Sequence, residues 1–266
     1  MATVSSADGT TIGYDQVGSG PPVIMVAGAT AHRAVDQTTP ELARLLAAGG
    51  LTVINYDRRG RGESGDTLPY APEREFEDLE ALVAEAGGEA HVFGMSSGAV
   101  LAVEAAARGV AISRLVMYEP PLRVDSSGPP PAPDYVETIE GIIADGEPGD
   151  AMAYFMAMVG QPEDEIAAFR ETPIFAAFVA VEHTLAYDGR IMAPYSLGEP
   201  IPPGQWSAAL QPTLVIDGGD SPDWFHNAAQ AAADALPNGE RRTVPGQTHS
   251  FEPEALAPVL VDFLSG

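Results

Sequence analysis

The strongest chemical signal in the sequence is a serine between two glycines, in the pentapeptide Gly94-Met95-Ser96-Ser97-Gly98. It fits the pattern G-x-S-x-G, and it lies between a predicted strand and a predicted helix. A sharp strand-to-helix turn exposes the serine hydroxyl, and the flanking glycines allow close backbone packing. The helix N-terminus also favours developing negative charge. The motif therefore predicts that Ser96 is a catalytic nucleophile rather than part of a structural turn.

Alternating strands and helices must position this serine. Short apolar runs predict buried strands, and helically spaced apolar residues predict helices between them. The predicted strands cover residues 3–5, 10–17, 23–26, 51–56, 91–93, 112–118, 212–216 and 241–244, and the helices cover 40–48, 73–86, 97–107, 227–236 and 253–264. This alternation indicates an α/β fold with a mostly parallel sheet that is covered by helices on both faces.

The alternation stops after residue 120. A proline-rich linker at 126–131 is followed by helical patterning, and residues 151–159 and 174–185 form two nearly continuous apolar stretches. Helices of this kind must bury themselves against something large. The sequence therefore predicts a core made of residues 1–120 and 208–266, with residues 121–207 inserted as a separate helical unit.

Three further segments carry a resemblance to a known family. Tyr56-Asp57-Arg58-Arg59-Gly60-Arg61-Gly62-Glu63-Ser64 resembles the D-x-R-G-x-G-x-S loop of the α/β-hydrolase superfamily, and Pro212-Thr213-Leu214-Val215-Ile216 resembles the strand before its acid loop. Gly246-Gln247-Thr248-His249 resembles its terminal histidine loop. The resemblance covers nearly the whole chain. It implies the α/β-hydrolase fold, with an eight-stranded, mostly parallel sheet and an inserted helical cap.

The resemblance implies a catalytic triad. Among five histidines, His249 follows the last predicted strand, where the family's general base emerges. The usual position of the acid after the seventh strand holds Ser221, and Asp220 lies one residue earlier. In haloalkane dehalogenases the acid follows the sixth strand instead, and here that position holds Glu119. We prefer Glu119 as the acid and keep Asp220 as the alternative; Glu119 paired with Arg58 or Arg59 is the structural alternative.

An oxyanion hole needs two backbone N–H groups near the nucleophile. Ser97 follows the nucleophile and supplies one of them, and the loop after the third strand supplies the other. That loop reads Ala27-Gly28-Ala29-Thr30, so Ala29 is the expected second donor. His32 follows in the same loop, and whether it borders the site stays open.

Composition excludes several classes of protein. The chain has no cysteine, so disulfides and cysteine nucleophiles are ruled out, and its net charge of −25 disfavours nucleic acid and anionic membranes as partners. No metal-binding motif, phosphate loop or dinucleotide fingerprint is found, so we expect neither metal nor cofactor. The N-terminus has no signal-peptide pattern, which predicts a cytoplasmic protein.

These features predict a serine hydrolase that cleaves a small or medium apolar carboxylic ester or lactone through an acyl-enzyme on Ser96. The expected partner is a small-molecule substrate, and a homodimer is left open. A serine at the elbow argues against dehalogenation and epoxide hydrolysis, which use a carboxylate nucleophile in this superfamily. The alternative is a lyase, a cyclase or a ligand-binding protein that uses the same pocket without efficient acyl transfer, since fold alone does not decide the reaction.

Overall fold

A computed structural model describes residues 2–266. Eight strands within this range form one sheet. The strands are β1 (Ala2–Ser5), β2 (Thr11–Gly18), β3 (Pro22–Val26), β4 (Thr52–Tyr56), β5 (Ala90–Met95), β6 (Ile112–Tyr118), β7 (Thr213–Gly218) and β8 (Gly239–Val244). Their order is β1-β2-β4-β3-β5-β6-β7-β8. The pairs β1–β2 and β2–β4 are antiparallel, and all the others are parallel. The predicted fold class is confirmed.

Helices cover both faces of this sheet. They are α1 (Thr38–Ala48), α2 (Pro72–Glu85), α3 (Ser97–Ala107), α4 (Tyr135–Asp145), α5 (Asp150–Met158), α6 (Glu163–Arg170), α7 (Phe175–Val179), α8 (Leu185–Met192), α9 (Asp223–Ala235) and α10 (Pro253–Ser265). Alternate residues of a strand point to opposite faces. Val23 and Met25 therefore pack with α1 and α10, whereas Ile24 and Val26 pack with α2, α3 and α9. None of the helices described is long and apolar enough to cross a membrane.

The chain between β6 and β7 forms helices α4 to α8 and two 3₁₀ turns, and we call residues 121–207 the helical segment. It has an apolar cluster of its own, separate from the two clusters on the sheet faces. The buried members of this cluster are Ile139, Ala151, Met152, Phe175, Leu185 and Ala186. Helix α8 also packs against α2 and α3, so the helical segment contacts the helix that begins behind Ser96.

The structure differs from the sequence prediction over residues 174–185. The single predicted helix is instead α7, a 3₁₀ turn at Glu182–Thr184 and the start of α8. The Thr184 hydroxyl donates to the carbonyl of Val181 at 2.7 Å, a local bond that competes with regular helix geometry. Glu182 accepts hydrogen bonds from the backbone N–H groups of Gly149 and Met152, which ties the turn to the start of α5.

Candidate functional site

Ser96 lies on a tight turn between β5 and α3. Its backbone has φ of 56° and ψ of −128°, a conformation that is uncommon for a residue with a side chain. The turn needs close backbone approach, because a Cβ on Gly98 would lie 2.4 Å from the carbonyl oxygen of Val26. The Ser96 N–H donates to the carbonyl of Tyr118 at 2.9 Å, which ties the turn to the end of β6. This is the geometry of a nucleophile elbow.

Glu119 and His249 form a hydrogen-bonded pair beside this turn. His249 Nδ1 lies 2.9 Å from Glu119 Oε2, and the Glu119 carboxylate is fully buried. Met95 pairs with Tyr118 at the ends of β5 and β6. Ser96 and Glu119 each follow one of these paired residues, so the two lie at the same edge of the sheet. Since Nδ1 faces the carboxylate, Nε2 is the ring nitrogen that can accept a proton.

Several contacts fix the histidine loop. The Phe225 ring stacks on the His249 imidazole, with centroids 4.9 Å apart and planes 20° apart. The Tyr118 hydroxyl donates to the carbonyl of Thr248 at 2.6 Å. About 40% of the His249 side chain stays exposed, so a ligand can reach it.

The second candidate acid, Asp220, lies elsewhere. Its side chain is exposed, while its backbone N–H donates to the carbonyl of Gln247 at 2.9 Å. The structural alternative for Glu119, an ion pair with Arg58 or Arg59, does not form. Arg58 contacts the carboxylates of Glu75 and Asp188, and Arg59 contacts those of Asp78 and Asp8.

The two expected oxyanion donors, Ser97 and Ala29, belong to segments that adjoin Ser96. Ser97 is the first residue of α3, where backbone N–H groups have no partner within the helix. On the other side, a Cβ on Gly28 would lie 2.9 Å from Ser96 Cβ and 3.5 Å from Ser96 Oγ. The Gly28–Ala29 backbone therefore passes close to the serine hydroxyl, and Ala29 packs against the apolar cluster of the helical segment.

A buried polar network behind these donors was not predicted from the sequence. Asp188, on α8, contacts Arg58, Arg61 and the Ser97 hydroxyl. Burial alone would raise the pKa of Asp188, but the guanidinium groups of Arg58 and Arg61 outweigh burial and lower that pKa below its usual value. The one signal in the sequence was an acidic residue inside an apolar helix, since a buried carboxylate needs a partner.

His32 lies outside this constellation. It lines a cavity of about 520 Å³ together with residues that include Arg33, Asp57 and Val181, and Ser96 is not among them. Its ring is buried, and neither ring nitrogen has a hydrogen-bond partner among the described residues. Within residues 2–266, no three His, Asp or Glu side chains are grouped so as to hold a metal ion.

Comparisons with known proteins agree on one family. The model of the family described as "Alpha/beta hydrolase family" matches residues 23–259. No curated protein sequence matches the chain. Among solved structures, an alpha/beta hydrolase from Sphaerobacter thermophilus is 49% identical, with a TM-score of 0.89 over 98% of this chain and 99% of that one.

More distant structures share the fold. An esterase from Exiguobacterium antarcticum is 19% identical, with a TM-score of 0.72 over 100% of this chain and 99% of that one. An enol-lactonase from Burkholderia xenovorans is 20% identical, with a TM-score of 0.69 over the full length of both chains. At these identities the likeness concerns the fold alone.

Proposed function

Because the chain belongs to the alpha/beta hydrolase family, we propose that this hydrolase cleaves small or medium apolar carboxylic esters or lactones through an acyl-enzyme on Ser96. The observation that carries the proposal is the 2.9 Å hydrogen bond between His249 Nδ1 and the buried carboxylate of Glu119, beside the strained turn of Ser96. A serine, a histidine and a buried acid in this arrangement are the parts of acyl-transfer chemistry.

In the first half of the reaction, Ser96 Oγ attacks the carbonyl carbon while His249 Nε2 accepts the hydroxyl proton. Glu119 holds the imidazole in the tautomer that leaves Nε2 free, and it stabilises the imidazolium that forms. The Ser96 hydroxyl has no hydrogen bond in the part of the chain described here, and unliganded sites of this kind are often looser than the reacting complex.

The tetrahedral intermediate carries a negative oxygen. The backbone N–H groups of Ala29 and Ser97 donate to it, and the α3 N-terminus adds a favourable dipole. His249 then protonates the leaving alkoxide as the C–O bond breaks. Next it removes a proton from water, whose oxygen attacks the acyl carbon, and the acid is released as Ser96 regains its proton.

The apolar cluster of the helical segment supports an apolar substrate. Ala29, the proposed oxyanion donor, packs on this cluster, so we expect acyl or alkoxy carbons bound at Ser96 to contact its aliphatic and aromatic side chains. We propose that residues 121–207 act as a cap over a core of residues 1–120 and 208–266. A cap excludes water from the acyl-enzyme and strengthens the electrostatic interactions inside.

Labelling with a fluorophosphonate tests the proposal. The probe phosphonylates an activated serine, and intact mass with peptide mapping locates the adduct. We expect one adduct on Ser96, none on Ser96→Ala, and hydrolysis of 4-nitrophenyl esters by the wild-type protein but not by Ser96→Ala. The control is Ser250→Ala, since Ser250 is an exposed hydroxyl next to His249. A folded protein that neither reacts nor turns over would instead favour a lyase, a cyclase or a ligand-binding protein in the same pocket.

We propose a cytoplasmic enzyme whose partner is a small-molecule substrate, and which works as a monomer or a homodimer. Neither a nucleic acid nor a membrane surface suits a chain with a net charge of −25. Sedimentation of the purified protein decides between monomer and dimer.

A further inference from the structure

One buried carboxylate of the helical segment reaches both sides of the proposed oxyanion hole. Asp188 Oδ1 accepts hydrogen bonds from Ser97 Oγ at 2.7 Å and from Arg58 Nη1 at 2.8 Å. Asp188 Oδ2 accepts one from Arg61 Nη2 at 2.5 Å. All four residues are buried. Because buried charges persist only when paired, this arrangement holds each of these side chains in one place.

On one side, the network orients the loop after β3. Arg61 Nη1 donates to the carbonyl of Gly28 at 2.7 Å, and Arg58 Nη1 donates to that of Ala27 at 3.2 Å. The Gly28 carbonyl and the Ala29 N–H belong to one planar peptide group, so fixing the direction of the carbonyl fixes that of the N–H. A cationic donor on the carbonyl also polarises the peptide, which strengthens its N–H as a donor.

On the other side, the network holds the residue after the nucleophile. Ser97 supplies its N–H to the oxyanion hole, and its hydroxyl is bound to Asp188. Asp188 belongs to α8, whereas Ser97 and Gly28 belong to the sheet side of the molecule. Both donors are thereby tied to one side chain of the helical segment.

The position of these arginines in the chain supports a specific role. In the loop that resembles D-x-R-G-x-G-x-S, Arg59 occupies the arginine of the pattern, and it binds Asp78 and Asp8 at a distance from the nucleophile. Arg58 and Arg61 occupy two of the three variable positions, and they are the ones that reach Ala27 and Gly28. The pattern does not require arginine at these two positions. The hydrogen bonds to Ala27 and Gly28 in the loop after β3 are therefore a specific role for these two side chains.

We propose that Asp188 is a positioning residue for the oxyanion hole, acting through Arg61 and Ser97, so that both N–H donors are aligned only when the helical segment is docked on the sheet. This inference rests on the proposed hydrolytic function. Asp188 touches no reacting atom. Its effect is therefore on stabilisation of the transition state, which appears in kcat rather than in KM.

The test compares Asp188→Asn with Asp150→Asn, which neutralises a half-exposed carboxylate of the same segment that pairs with Arg170. Loss of one oxyanion donor lowers kcat by roughly 100- to 1000-fold, and misalignment costs less. We expect Asp188→Asn to lower kcat on 4-nitrophenyl butyrate by about 10- to 100-fold with KM within about threefold. Fluorophosphonate labelling of Ser96 slows by a similar factor, and Asp150→Asn matches the wild type.

A second variant makes the result independent of folding. Ser97→Ala removes one hydroxyl and keeps the backbone N–H, and we expect a smaller loss of kcat. Because both changes break the same link, the double variant Asp188→Asn/Ser97→Ala should be about as slow as Asp188→Asn alone. If Asp188→Asn does not fold, Ser97→Ala decides alone.

Each outcome has one meaning. A kcat within twofold of the control in Asp188→Asn, a loss confined to KM, or losses that multiply in the double variant overturn the positioning role. The same holds if Ser97→Ala, tested alone, keeps the wild-type kcat. A wild-type protein that neither hydrolyses esters nor reacts with the fluorophosphonate overturns the proposed function and the positioning role together.

Discussion

Ser221 Oγ donates a hydrogen bond of 2.5 Å to Glu119 Oε1. The same carboxylate oxygen accepts the backbone N–H of Gly218 at 2.8 Å, while Oε2 faces His249 Nδ1. Ser221 occupies the position at which the family usually has its acid. Its hydroxyl therefore binds Glu119, the residue that we propose as the acid in this protein instead. Oε1 is thereby held by Ser221 and Gly218, and Oε2 is left for His249.

Replacing Glu119 tests which carboxylate serves the base. Glu119→Gln keeps the size of the side chain but removes the charge that stabilises the imidazolium. We expect kcat on an aryl ester to fall by about 1000- to 10,000-fold. Asp220→Asn should leave kcat within about twofold, because the Asp220 side chain is exposed and forms none of these bonds. Steady-state kinetics of the two variants would contradict our assignment if their effects were reversed.

Moving the carboxylate tests the geometry of the site. Ser221→Asp alone places a second carboxylate against Glu119, and like charges at this distance repel. In Glu119→Gln/Ser221→Asp only one carboxylate remains, at the usual family position. We expect the double variant to recover at least about tenfold in kcat over Glu119→Gln, since a rebuilt base–acid bond restores part of the lost stabilisation. The comparison variant Glu119→Gln/Ser221→Ala should recover nothing.

A second buried carboxylate supports α3 from the far side. Glu104, on α3, accepts hydrogen bonds from Trp206 Nε1 at 2.9 Å, from Gln205 and from the Tyr195 hydroxyl. Burial alone would raise the pKa of Glu104, but these donors and Arg108 lower it below its usual value. The helix that begins behind Ser96 is thereby joined to the end of the helical segment.

Glu104→Ala should therefore destabilise the protein. The change leaves the buried Tyr195 hydroxyl without its acceptor and leaves Trp206 Nε1 with only the Tyr195 oxygen, at 3.1 Å. We expect a loss of about 2 to 3 kcal/mol in the free energy of unfolding. Urea denaturation followed by tryptophan fluorescence measures it. The control is Glu89→Ala, because Glu89 is exposed. Equal midpoints for the two variants would show that the Glu104 cluster adds nothing to stability.

The sequence predicted the elements that carry the site better than the contacts that connect them. The G-x-S-x-G turn and the strands around it have local signals, namely glycines where backbones touch and apolar runs where strands are buried. The elbow at Ser96 and the strand that ends at Tyr118 follow from those signals. The sequence alone could not decide whether Glu119 or Asp220 is the acid, because that depends on which of them lies next to His249 in the folded protein.

The network of Asp188 lies beyond such reasoning. Asp188 and Arg58 are 130 residues apart in the chain, and Asp188 and Ser97 are 91 apart, so no periodic pattern links them. The sequence also predicted one helix where the turn at Glu182–Thr184 intervenes. Tertiary contacts decide that region, since Arg61 Nε donates to the Thr184 hydroxyl at 3.1 Å.

The buried carboxylate of Asp217 should make the stability of the fold depend on pH in the acid range. Asp217 is buried at the end of β7, where Arg241 Nε lies 2.7 Å from Oδ1 and His226 Nδ1 lies 2.6 Å from Oδ2. Burial alone would raise the pKa of Asp217, but hydrogen bonds from Arg241 and His226 outweigh it and lower that pKa below its usual 3.8. A carboxyl whose pKa is lower in the folded state stabilises the fold above the unfolded pKa.

This contribution is therefore complete at neutral pH, and it disappears as the pH falls below 3.8 and through the folded pKa. Asp217→Asn should lower the free energy of unfolding by about 1 to 3 kcal/mol at pH 7. The difference from the wild type should shrink as the pH falls below 3.8. Urea denaturation over a pH series measures both, with Glu240→Gln as an exposed carboxylate on the neighbouring strand for control. A constant difference at every pH would mean that Asp217 stabilises the fold through packing and not through its charge.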